Sequence, residues 1–146
     1  MSERTEKATA LFKSGYTCSQ AVVLAYCDLF GLDEKTAANV SCGLGGGMGR
    51  LREVCGAVSG AALLAGLRHG DGGSDPESKK KTYEAVQAIA NAFREQNGSI
   101  VCRQLLGLEK PPSDPTPSER TEAYYRKRPC ADYVSDVAAL VERFLL

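Results

Sequence analysis

The sequence predicts an all-α fold: a single-domain bundle of about six to eight helices with a Gly/Ala-rich helix buried at its centre. Apolar residues recur at helical spacing in segment after segment. No stretch keeps a period-two alternation, and the breaks between segments carry residues that cap or stop helices. With 146 residues the chain can bury one core but is short for two, so residues 1–146 read as one domain.

Ser2 caps a first helix that places Ala8, Leu11 and Phe12 on one face and stops at Gly15. Thr17-Cys18-Ser19-Gln20 is a capping box, a Thr cap with Gln three residues on. The helix it opens carries Val22, Val23, Tyr26, Leu29 and Phe30 and ends at Gly31. A third helix starts at Asp33 and ends near Cys42. Gly43 to Arg50 is a loop, because so many glycines make a helix costly.

The Gly/Ala-rich fourth helix runs from near Cys55 to His69. Asp75-Pro76, a cap followed by proline at the first helical position, opens a fifth. It extends to about Gln96 with Tyr83, Val86, Ile89, Ala90 and Phe93 as its buried stripe. Ser99 caps a short apolar helix from Ile100 to Leu106. Residues 107–117 hold four of the six prolines and form a surface connection. Ser118 caps another short helix to about Arg126, and Pro129 opens the last, with Val134, Val137, Ala138, Val141 and Leu145 facing inward.

Composition excludes several function classes. Eighteen basic residues balance eighteen acidic ones, which argues against a broad nucleic-acid face. The longest apolar-and-small run, Gly56 to Leu67, is too short for the roughly 20 residues of a membrane span. The charged start, Ser2 to Lys7, lacks the apolar core of a signal peptide, so a cytoplasmic protein is expected. One histidine, His69, leaves neither a Ser-His-Asp triad nor a His-rich zinc site to assemble.

The six cysteines are the unusual feature. In a reducing compartment they point to redox chemistry, metal binding or buried small hydrophobes, and not to a disulfide framework. Successive cysteines are separated by 8, 14, 12, 46 and 27 residues, so no Cys-x-x-Cys occurs. Helix position is more informative. Cys18, Cys55, Cys102 and Cys130 all fall at predicted helix starts, where free N–H groups and the helix dipole favour a thiolate. Such surroundings bring a thiol from about 8.5 to roughly 3.5–7.5. Arg50, Arg52, Arg103, Arg126, Lys127 and Arg128 lie close in sequence and add to the effect. Cys27 and Cys42 lie within or at the end of helices, where packing is the expected role.

The glycine loop does not keep the register of a dinucleotide-binding or P-loop motif. Gly45, Gly46, Gly47, Gly49 and Arg50 are instead candidates for a cofactor- or anion-contacting loop beside Cys55, with close helix packing as the alternative.

Cys55-Gly56-Ala57-Val58-Ser59-Gly60 resembles the core motif of the C-GCAxxG-C-C family. Gly45-Gly46-Gly47-Met48-Gly49-Arg50 resembles its glycine-rich lead-in, and Thr17-Cys18-Ser19-Gln20-Ala21-Val22 its early cysteine stretch. Cys102 and Cys130 fall where its third and fourth cysteines belong. The resemblance implies a redox-active protein with four characteristic cysteines: Cys18, Cys55, Cys102 and Cys130.

Three functions follow. In the first, an oxidoreductase uses clustered thiolates for thiol–disulfide exchange or electron transfer, with a redox partner or small-molecule oxidant left unidentified. In the second, the same four cysteines hold an iron–sulfur cluster or zinc; the sequence leaves open whether any cofactor is used. In the third, a non-catalytic helical interaction module merely buries its cysteines. A homodimer is the expected assembly.

Overall fold

The computed structural model describes residues 2–108, 114–122, 124 and 129–146. It is all-α, with seven helices and no strand among the described residues. Helix α1 (Glu3–Lys13) begins at Ser2, whose hydroxyl accepts the Thr5 N–H. Helix α2 (Cys18–Tyr26) follows the Thr17 capping box. It then tightens into a 3-10 turn, Cys27–Phe30, that Gly31 ends in the left-handed region at φ 71°. The helix therefore stops short of the predicted Gly31 limit, and Leu29 is turned to solvent. Helix α3 (Glu34–Cys42) is capped by the Asp33 carboxylate.

Helix α4 (Gly56–His69) is the central one. It packs against α2, against α5 (Pro76–Asn97) and against α7 (Cys130–Leu145). Gly56, Ala57, Val58, Gly60, Ala61, Leu64 and Ala65 are buried along it. Small side chains let α2 approach closely. A Cβ at Gly60 would lie 2.9 Å from the Ser19 carbonyl oxygen. Helices α1 and α7 close the other side of α2. The largest enclosed side chains, Tyr26, Phe12, Phe93 and Leu64, fill the interior between these helices. No helix among the described residues is long and apolar enough to cross a membrane.

Three predicted details are corrected. Tyr83 is 63% exposed, so the buried stripe of α5 centres on Ile89 and Phe93. The short helix α6 spans Cys102–Leu105 and not Ile100–Leu106. Ile100 and Val101 are committed to an antiparallel bridge, Val54 with Val101, and the Ser99 hydroxyl accepts from the Val101 N–H at 2.9 Å. Ser118 does not open a helix: residues 118–121 are irregular, and the Thr121 hydroxyl accepts the Tyr124 N–H at 3.2 Å. Glu122 and Tyr124 are helical, so the predicted helix is present there but begins after Thr121; its residues 123, 125 and 126 lie outside the described residues, as do Lys127, Arg128 and 109–113 of the proline-rich connection.

Candidate functional site

Each of the four motif cysteines is held by local structure. In the Thr17 box, the Thr17 hydroxyl accepts the Gln20 N–H at 3.1 Å and the Gln20 amide oxygen accepts the Thr17 N–H at 2.9 Å. Ser19 donates to the Ser41 carbonyl at 2.7 Å and Gln20 to the Ala38 carbonyl at 3.0 Å, which pins this helix start to α3. Cys18 is thereby fixed as the first residue of α2.

Cys55 and Cys102 are brought together by pairing between distant segments. The Cys55 N–H donates to the Ile100 carbonyl at 2.7 Å, and the Cys102 N–H donates to the Glu53 carbonyl at 2.5 Å. Cys55 sits at the N-cap of α4, Cys102 is the first residue of α6, and Cys130 is the first of α7 after Pro129.

The glycine segment forms the surface these residues rest on. It contains a helical turn, Gly45–Met48, in which Gly46 and Gly47 are left-handed at φ 65° and 68°. A Cβ at Gly45 would lie 2.6 Å from Thr17 Cβ. At Gly47 it would lie 2.7 Å from the Glu53 nitrogen and 2.8 Å from Cys102 Cβ. At Gly56 it would overlap Cys18 Sγ. Three glycines thus make room for the residues that carry or flank the thiols.

A cavity of about 310 Å³ opens here, with Cys18, Cys55, Cys102 and Cys130 in its wall. Gly45, Gly46, Gly49 and Arg50 line it; Gly47 lies behind, against Cys102. Cys42, assigned to packing by its place at a helix end, also reaches this wall and is exposed. Cys27 does not: it is 1% exposed and bonds the Leu24 carbonyl in the core. All six cysteines are free thiols.

Arg52, 6% exposed, touches a thiol: its Nη1 donates to Cys102 Sγ at 3.6 Å. Arg103 instead pairs with Glu53 at 2.9 Å.

The electrostatics correct one expectation. Helix starts were expected to lower the thiols, but burial pushes the Cys18 thiol up, opposed by the Gly46 N–H. Burial pushes Cys55 well up too, helped by the neighbouring Cys18. Desolvation outweighs the dipole. Among the described residues no three Cys, His, Asp or Glu side chains are placed to hold a metal ion.

A stability test follows. A folded thiol raised above its unfolded value stabilises fully below the unfolded value, near pH 8.5, and this stabilisation is lost as pH rises. Denaturant unfolding at pH 8 and pH 10 should show wild type losing about 1.4 kcal/mol more per pH unit above pH 9 than Cys55→Ala. Equal losses would mean that Cys55 ionises freely in the folded protein.

A family model described as "Putative redox-active protein (C_GCAxxG_C_C)" matches residues 16–144. The chain belongs to the C_GCAxxG_C_C family. No curated protein and no solved structure matches it. The Cys-Gly-Ala-Val-Ser-Gly stretch, Cys55 to Gly60, has a physical reading in this fold. Its first glycine, Gly56, clears Cys18 Sγ; its alanine, Ala57, is fully buried; its last glycine, Gly60, clears the Ser19 backbone. The motif is the face on which α4 meets the start of α2.

Proposed function

We propose that this C_GCAxxG_C_C protein is a dithiol–disulfide oxidoreductase in which Cys18, Cys55, Cys102 and Cys130 share one site. The observation that carries the reading is the single cavity onto which all four open, with a buried guanidinium against one of them. The environment around Cys18 and Cys55 supports exchange over metal holding. Burial and mutual repulsion disfavour several thiolates together, whereas a thiol and a disulfide are both uncharged on sulfur.

Cys102 is the attacking residue in this reading, because Arg52 is placed to compensate negative charge on its sulfur. Its thiolate attacks one sulfur of a substrate disulfide. A Cys102–substrate bond forms, the substrate S–S bond breaks, and the leaving thiolate takes the Cys18 proton. Cys18 then attacks Cys102 Sγ and expels the second substrate thiolate, which takes a proton from water. The protein ends as a disulfide and the substrate as a pair of thiols, a two-electron transfer. Cys55, beside both, is the second resolving candidate. Neutral net charge and six free thiols suit the cytosol as the site of action.

Anaerobic mixing of the reduced protein with hydroxyethyl disulfide tests this. The expected result is release of a pair of thiols per chain, a protein lighter by a pair of hydrogens, and full recovery with dithiothreitol. No thiol release, or a protein that purifies with stoichiometric iron and acid-labile sulfide, contradicts it.

A further inference from the structure

The cavity contains a feature that thiol exchange alone does not require. Arg50, Arg52 and Arg120 line it, and no Asp or Glu does so among the described residues. Arg120 is engaged: it donates to the Phe12 and Tyr16 carbonyls and stacks over the Phe12 ring at 4.5 Å. Arg50 and Arg52 differ, because the Nε of each is buried with no hydrogen-bond partner. Among the described residues Arg52 makes one side-chain hydrogen bond, to Cys102, although 94% of it is withdrawn from solvent. The carboxylate of Asp114, which feels the Arg50 charge, is exposed and outside the lining. A buried guanidinium donor left unmade is costly, and no carboxylate of the described lining offsets its charge. Oxyanions satisfy such a group best, through parallel N–H bonds.

Beside the cysteines, the glycines and the hydroxyls of Thr17 and Ser118, the wall is apolar or aromatic, with Phe12, Leu105, Leu106, Tyr124 and Tyr133 its largest side chains. A volume of about 310 Å³ is at the small end of ligand sites. We infer that the cavity binds a small organic oxyanion, its acid group on Arg52 and Arg50 and its apolar body against the aromatic wall. Combined with the redox reading, on which this further step rests, the substrate class is an anionic organic disulfide or its thiol. The acid group anchors it so that its sulfur faces Cys102.

Binding is testable without turnover. Reduced protein is titrated with 2-naphthoate and with uncharged 2-naphthalenemethanol, following backbone amide resonances. The naphthoate should bind at least about tenfold more tightly than the alcohol, as a charge-assisted contact requires. It should shift amides in residues 45–56 and 102–106. Arg52→Gln should remove that preference, and Arg52→Lys should restore part of it. Arg50→Gln, on a less buried residue, should weaken the preference several-fold and decides the matter where Arg52→Gln fails to fold. Equal affinity for acid and alcohol, or a preference untouched by Arg50→Gln and Arg52→Gln, overturns the inference. Selective naphthoate binding by a protein that reduces no disulfide overturns only the redox reading. Disulfide reduction without selective binding overturns only the anion site.

Discussion

Gly47→Ala is expected to destabilise the protein by about 3 kcal/mol or more. Two effects combine there. The residue is left-handed at φ 68°, which costs an alanine about 1–2 kcal/mol. The new Cβ would also lie 2.7 Å from the Glu53 nitrogen, 2.8 Å from Cys102 Cβ and 2.9 Å from Arg52 Cα. Two of these three are backbone atoms, so relief requires moving the segment that pairs with 100–103. Overpacking of that kind adds about 1–3 kcal/mol. Gly66→Ala is the matched control. Gly66 is inside α4 with nothing within 4 Å of its added Cβ, so the substitution should stabilise by about 0.5–1 kcal/mol. Urea unfolding of both variants measures the contrast. A Gly47→Ala protein as stable as wild type would mean that the packing of the glycine turn on Cys102 is not as described.

The second large effect is on activity. Cys102→Ser should lower reduction of hydroxyethyl disulfide about a thousandfold or more, since a hydroxyl does not replace a thiolate nucleophile. Cys18→Ser should behave differently: its Cys102 still attacks, but resolution is slowed. The protein should then accumulate a mixed disulfide on Cys102, seen as an added substrate half by intact mass and located by peptide digestion. Cys27→Ser should leave turnover within about twofold, because Cys27 is enclosed in the core away from the cavity. Adduct on Cys130 instead would reassign the attacking residue. Full activity in Cys102→Ser would remove Arg52 and Cys102 from the chemistry.

Local signals account for most of what the sequence revealed. Ser2, Thr17, Asp33 and Asp75 each cap a helix through contacts within three residues, so a short reading frame suffices to find them. The Thr17 cap placed Cys18 at a helix start, and the preference for proline at a helix opening did the same for Cys130 after Pro129. Long-range pairing was not legible. The Val54–Val101 bridge joins residues far apart in the chain, and a single bridged pair carries no periodicity. That bridge shortened α6 and set Cys102 beside Arg52. Arg52 itself, a loop arginine, gave no sign that it would be 94% buried. Helix position reported the dipole but not the desolvation, so the direction for Cys18 and Cys55 was missed. The position of Cys42 at a helix end points to packing, whereas the residue shares the cavity wall with Gly45, Gly46 and Gly49.

Peptide mapping of the oxidised protein tests the shared site most directly. Free thiols are blocked with one alkylating agent, the disulfide is reduced, and the released thiols are marked with a second. The account predicts that both marked residues belong to Cys18, Cys55 and Cys102, with Cys27 and Cys42 blocked as free thiols. A bond that uses Cys27 or Cys42, or six thiols that all survive oxidation as separate free groups, would contradict it.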